Sequence, residues 1–112
     1  MTESDRIEDG REVVERFKAP KAIREDFTQV ILQTGGAIWG RPGLAPAQRS
    51  ITTIGVLVAL CRPEELREHI QLGLGNGLTQ DEICEVILHC GMYAGFPAAV
   101  RAMEVAHDVF GE

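Results

Sequence analysis

Eleven consecutive residues, Ile51-Thr-Thr-Ile-Gly-Val-Leu-Val-Ala-Leu-Cys61, carry no charge. This run is too short for the roughly 18 apolar residues of a membrane span, and no other run in the chain reaches that length. It therefore has to be buried by protein. The β-branched Ile51-Thr-Thr-Ile54 would suit a strand, but the length of the segment and its Gly and Ala content favour a helix. A helix that is apolar all round lies at the centre of a bundle or at a subunit interface.

Proline and glycine divide the rest into helical segments. A first helix is expected from about Ser4 to Lys18, with Ile7, Val13, Val14 and Phe17 on one modest apolar side. Pro20 opens a second, running to about Thr34, in which Ile23, Phe27, Val30, Ile31 and Thr34 recur at three and four residues. Gly35-Gly36 marks its end or a point of close packing. Trp39-Gly-Arg-Pro-Gly43 holds two glycines and a proline and reads as a loop carrying an indole beside a guanidinium. Pro46 starts the uncharged third helix, and Pro63-Glu64-Glu65 starts a fourth with acids in its first turn. Gly75-Asn-Gly77 ends that helix. Thr79-Gln-Asp-Glu82 is a capping box for a fifth, and Gly95-Phe-Pro97 separates the fifth from a last helix over Ala98 to about Phe110. No strand pair and no internal repeat emerges, so the class is all-α with about six helices.

The chain of 112 residues reads as one domain, 1–112, with 45% apolar and 25% charged residues, an ordinary globular composition. A domain of this size buries only about two thirds of its unfolded surface, a limit that an oligomer relieves. The formal charge of −6 argues against a nucleic-acid module, which needs a basic face. It leaves room for small anionic ligands, because a few local arginines can bind one inside an acidic protein. The polar, mixed-charge N-terminus is unlike a secretory signal. Cys61, Cys84 and Cys90 form no disulfide pattern, so the expectation is a reduced, cytoplasmic protein with no membrane segment.

Polar residues on apolar helix faces are the candidates for chemistry. His69 stands beside Leu66 and Gly73 on the fourth helix, with Gly73 expected to leave room near the imidazole; a histidine satisfying a core hydrogen bond has the same spacing. His89 has Glu85 and Tyr93 four residues to either side, an arrangement in which a carboxylate fixes the tautomer and a phenol donates alongside. The same row reads equally as the surface stripe of a helix. Arg41 and Arg49 flank the entrance to the third helix, and their planar forks match carboxylates, although solvated arginines are common at such positions. Nothing here has the spacing of a metal site, and His69 and His89 fall on different helices. His107, on the polar side of the last helix, is given no role. Gly73-x-Gly75-x-Gly77 ends a helix instead of opening one, so it is no phosphate loop.

Ile38-Trp-Gly-Arg-Pro-Gly-Leu44 and Arg49-Ser-Ile-Thr-Thr-Ile54 resemble one stretch of the carboxymuconolactone decarboxylase family. Glu65-Leu-Arg-Glu-His69, Gly77-Leu-Thr-Gln-Asp-Glu-Ile83 and Glu85-Val-Ile-Leu-His-Cys-Gly-Met-Tyr-Ala-Gly-Phe-Pro-Ala98 continue the resemblance in order, so that it runs from about residue 36 to 110. It implies an alkylhydroperoxidase-D-like helical bundle. It also implies a homo-oligomer, a hexamer or trimer of dimers, in which helices of neighbouring subunits complete the sites. The thiol-redox branch of that superfamily carries Cys-x-x-Cys-x-x-x-His. Here the matching histidine is His69, and the two cysteine places hold Glu65 and Arg62. Cys61 is one position off, about 100° around a helix. The departure places the chain with the decarboxylase-like branch.

The resemblance implies decarboxylation of 4-carboxymuconolactone, a step of aromatic catabolism, to an enol-lactone. Electrons released by C–C cleavage pass through the ring alkene to the lactone carbonyl, so the substrate is its own electron sink and no cofactor or metal is expected. Arg41 or Arg49 would hold the carboxylate that stays. Tyr93 or protonated His89 would stabilise the dienolate oxygen, His69 or His89 would deliver a proton to carbon, and Trp39 and Phe96 would keep the departing carboxylate dry. Glu85 would orient His89. Other readings are a different lactone or keto acid, a role in binding or assembly alone, and a thiol peroxidase or disulfide reductase.

Overall fold

A computed structural model describes residues 18–112. The helix expected from about Ser4 to Lys18 lies, apart from its last residue, outside them. The described residues form five helices and no strand, in keeping with the all-α reading. The described residues divide into two compact units, the first ending at Gly43 and the second Leu44–Glu112.

In the first unit, α1 spans Arg24–Trp39. It passes straight through Gly35 and Gly36, read from the sequence as its end or a point of close packing; it does not end there, a Cβ at Gly35 would meet nothing within 4 Å, and Trp39 is its last residue instead of a loop residue. A glycine costs an exposed helix about 1 kcal/mol but does not stop it. What stops it is Pro42, which cannot continue a helix and disfavours helical conformation at Arg41; Gly40 itself is still right-handed, at φ -80°. The buried residues of α1 are Thr28 and Leu32, whereas Ile23, Phe27 and Val30 of the expected inward stripe are exposed. Apolar residues occur on more than one side of this helix, so spacing alone did not single out the face that packs.

The second unit holds α2 (Pro46–Ala59), α3 (Pro63–Gly75), α4 (Gln80–Ala94) and α5 (Phe96–Val109). Helix α2 packs on α3 and α4, and α5 packs on the same two. Their shared core is Ile54 and Val58 from α2, Leu66 and Ile70 from α3, Ile83 and Ile87 from α4, and Ala99, Ala102, Val105 and Ala106 from α5, closed at one side by Leu78. Each helix buries positions three or four apart, the repeat of a single helical face. Within one chain α2 is not covered all round, because Val56 and Leu60 point outward from the same uncharged run.

Helix ends follow from local chemistry. Proline occupies the first turn of α2, α3 and α5, where its missing N–H costs nothing. At the start of α4, Thr79 Oγ1 accepts from the Glu82 N–H at 3.0 Å and Glu82 Oε1 accepts from the Thr79 N–H at 2.9 Å, which is the expected capping box. Three helices end in the same two-bond turn, with a left-handed residue just past the cap. After α3 it is Gly77, with Leu78 N–H donating to Gly73 O; after α5 it is Gly111, with Glu112 N–H donating to His107 O. After α2 the position is filled by Cys61 at φ 54°, with Arg62 N–H donating to Leu57 O. Between α4 and α5 there is one residue, Gly95, with φ 99° and ψ 144°, which caps both helices.

Candidate functional site

The expected site residues fall into three places. Trp39 and Arg41 belong to the first unit, where Trp39 is half-buried at the end of α1 and the Arg41 N–H closes the turn on Ile38 O at 3.1 Å. Arg49 lies in the first turn of α2 and His69 on α3, two helices that pack on each other. Glu85, His89, Tyr93 and Phe96 lie on α4 and the start of α5.

Helices α2 and α3 carry polar groups that are taken out of water. Arg49, in the first turn of α2, is half-buried and its Nε is fully covered. Thr53, one turn on, donates from Oγ1 to Arg49 O at 2.9 Å. Ser50 has no exposed surface and accepts a hydrogen bond from Asn76 Nδ2 at 2.9 Å across the seam between α2 and α3. On α3, His69 is half-buried, and its Nδ1 is covered without a hydrogen-bond partner among the described residues. A covered ring nitrogen without a partner costs about 1–3 kcal/mol, and such groups gather where a ligand or water completes them. Burial pushes the His69 imidazole below its ordinary value, with Glu68 opposing. At neutral pH it is therefore an uncharged ring with one N–H and one lone pair, suited to accept a proton or donate a single hydrogen bond.

Gly73 does not leave the space beside His69 that its position suggested. A Cβ there would stand 3.1 Å from Leu78 Cδ1 and 3.3 Å from Ile54 Cδ1, so the glycine is needed for α3 to approach α2 and Leu78. Those contacts, with the Asn76–Ser50 bond, fix the register of the seam.

The α4 row is exposed in the single chain. His89 and Tyr93 pair with ring centroids 5.4 Å apart and planes tilted by 45°, a favourable aromatic arrangement. Tyr93 is 79% exposed and Phe96 61% exposed, and Glu85 and His89 face solvent too. Leu88, Met92 and Val100 are exposed as well, so α4 and the start of α5 present several apolar side chains along with the His89 imidazole. Phe96 also borders a cleft of about 570 Å³ with Leu88, Ala99, Val100, Met103, Glu104 and His107. That cleft holds none of the other expected site residues, and the sequence reading gave His107 no part in it.

Thiol chemistry finds little support. Burial raises the Cys84 and Cys90 thiols, and Asp81, Glu112 and Glu85 raise Cys84 further, so both hold less thiolate than an ordinary cysteine. Cys61 lies in the turn before α3, not on the helix that carries Glu65 and His69. Its displacement from the thiol-redox pattern is thus a matter of backbone conformation, not of rotation about a helix. Among the described residues no three His, Cys, Asp or Glu side chains converge as a metal site would require.

The Ser50–Asn76 bond was missed in the sequence. Its signal was present: a serine at the position of the buried stripe that Ile54 and Val58 continue, and an asparagine between two glycines at a helix end.

Residues 25–108 match the profile of the carboxymuconolactone decarboxylase family. Over 89 residues, 79% of this chain, it is 47% identical to a 4-carboxymuconolactone decarboxylase of Acinetobacter baylyi. Over 77 residues, 69% of this chain, it is 36% identical to a nitrosuccinic acid decarboxylase of Metarhizium robertsii. The matches span 66% and 54% of the lengths of those two relatives.

Proposed function

The chain belongs to the carboxymuconolactone decarboxylase family, and on that premise we propose that it is a cofactor-independent carboxy-lyase acting on 4-carboxymuconolactone or a close analogue. The observation that carries this reading is the 47% identity to the Acinetobacter baylyi decarboxylase. The family match, residues 25–108, includes every residue to which a role is given below.

The substrate's ring alkene and lactone carbonyl take up the electron pair as CO₂ leaves, so the protein has to bind, neutralise charge and return a proton. Arg49 is the better placed arginine for the carboxylate that remains, because its half-buried guanidinium is screened less than the exposed Arg41. His69, uncharged at neutral pH, donates one hydrogen bond to the dienolate oxygen; a preorganised donor of this kind is worth about 3–4 kcal/mol. His89, backed by Glu85 and Tyr93, returns the proton to carbon. This gives His69 a different part from the protonated acid that residue chemistry alone allowed, and the cause is its burial.

The α4 row works only if water is kept away from it. We assign that task to a second copy of the chain covering the apolar side chains exposed along with His89, in a homo-oligomer of the hexameric kind. No helix among the described residues is long and apolar enough to cross a membrane. A cytoplasmic catabolic enzyme, with no membrane or nucleic acid as partner, is the setting we propose.

Purified protein supplied with 4-carboxymuconolactone should release CO₂ and form the enol-lactone, followed by gas release and by absorbance. His69→Gln and His89→Gln should each lower turnover by about 10- to 1000-fold. Release at the spontaneous rate by the wild-type protein would overturn the reading. The Metarhizium robertsii relative favours a second substrate class, since nitrosuccinic acid also loses CO₂ to leave charge on oxygen, there as a nitronate. The assay therefore includes nitrosuccinic acid, and turnover of that compound alone would move the assignment to it.

A further inference from the structure

We infer that Asn76 and Ser50 are positioning residues that hold Arg49 in place at the start of α2 by a bond across the α2–α3 seam; the inference rests on the decarboxylase reading for its kinetic part. Ser50 is a fully buried hydroxyl on a face that otherwise buries Ile54 and Val58. Its partner lies 26 residues further on. Asn76 is itself held by its backbone, since its N–H donates to Leu72 O at 2.8 Å and Gly73 O at 3.2 Å at the end of α3. The side chain thus reaches across the seam from a fixed point. Arg49 immediately precedes Ser50, and its own backbone is held by Ala45 O, 3.0 Å from its N–H, and by the Thr53 hydroxyl on its carbonyl. The first turn of a helix frays most easily, and here it is pinned by a side chain of the neighbouring helix. On α3, Gly73 brings its backbone against Ser50 and Ile54, so the two helices meet closely beside the bond.

An apolar pair would fill the same space. A buried hydrogen bond differs by accepting only one register, because a slip leaves both partners unsatisfied. Arg49 is assigned to binding of the remaining carboxylate, so slackening the pin weakens binding more than chemistry.

The test is a double-mutant cycle of Ser50→Ala, Asn76→Ala and the pair, with steady-state kinetics on 4-carboxymuconolactone and ¹⁵N NMR of the arginine side chains. Each single variant should raise KM by about 2- to 10-fold with kcat held within about twofold, and the double should be no worse than the worse single. Asn76→Asp, in which the Ser50 hydroxyl donates to the carboxylate, should return KM to within about twofold of wild type. Thr52→Val, which removes an exposed hydroxyl bonded to Gln48 O on the same helix, is the control and should leave KM unchanged. The covered Arg49 Nε–H should exchange with solvent several-fold faster in both alanine variants, with that of the exposed Arg101 unaltered. A lowered melting temperature without a change in KM or in Arg49 exchange would reduce the pair to a structural role and overturn the inference. Multiplicative effects in the double variant, or no recovery by Asn76→Asp, would overturn it as well. If the wild-type protein is inert towards every substrate offered, the decarboxylase reading fails on its own and the exchange rates decide the register claim.

Discussion

Gly91→Ala is expected to destabilise the protein, against the usual benefit of replacing a helical glycine. Gly91 is buried in α4, and a Cβ there would stand 3.0 Å from Ala99 Cβ and 3.0 Å from both Cδ1 and Cε1 of Phe96. The Phe96 ring is exposed enough to swing aside, but Ala99 is buried on α5, and its Cβ moves only if the helix does. Opening the α4–α5 contact by a few tenths of an ångström is overpacking, with a cost of about 1–3 kcal/mol. Alanine in place of helical glycine returns about 1 kcal/mol. The balance is a loss of up to about 2 kcal/mol, and a loss of 1 kcal/mol corresponds to several degrees of melting temperature in a domain of this size. Gly75→Ala is the comparator, since a Cβ at Gly75 meets nothing within 4 Å; it should hold or gain stability. Urea and thermal unfolding followed by circular dichroism would give both values, at one protomer concentration so that association contributes equally. A Gly91→Ala protein that is more stable than wild type by the full helical gain would show that the two helices are not in the close contact on which this reasoning depends.

The depressed His69 makes stability depend on pH in a defined direction. An unfolded imidazole titrates near 6.5 and the folded one lower, so the unfolded chain binds more protons in that interval. Stability is full above about pH 6.5 and declines as the pH falls from there towards the folded value. Urea midpoints at several pH values should show this loss in wild type and less of it in His69→Gln, and equal slopes would remove the burial argument. Thr79→Ala deletes one half of the capping box of α4 and should cost about 1 kcal/mol in urea unfolding. No loss there would mean that the end of α4 is set by packing alone. Cys61→Gly should stabilise by about 1 kcal/mol, because Cys61 sits at φ 54°, where a side chain is strained and glycine is not. A lower melting temperature in that variant would show that the cysteine side chain contributes more than its backbone costs.

What the sequence disclosed and what it withheld divide along the range of the interactions. The start of α4 is written within four residues, Thr79 to Glu82, and the prolines at the starts of α2, α3 and α5 are equally local, so these boundaries could be read directly. The end of α1 could not, since Gly35 and Gly36 weaken a helix without deciding its fate. His69 and His89 look alike in a linear pattern, each among apolar residues at helical spacing. Only the folded chain separates a half-buried ring from an exposed one. Ser50 and Asn76 find each other across 26 positions, beyond what periodicity reports. For the candidate site, residue types narrowed the chemistry and the family resemblance supplied the reaction proposed. The sorting into sheltered and exposed groups required three dimensions.

The single-residue joint at Gly95 has a bearing on how this protein could be re-engineered. Tyr93 and Phe96 stand on either side of it, on two different helices, and the relative placement of their backbones is set by one pair of torsion angles that essentially only glycine adopts. A longer connection would let the two helices sample many crossing angles; this one behaves as a welded corner from which each ring still turns about its own side-chain bonds. Variation aimed at ligand preference should therefore change the rings themselves and leave the corner alone, because one inserted residue would redirect the whole of α5 along with its phenylalanine.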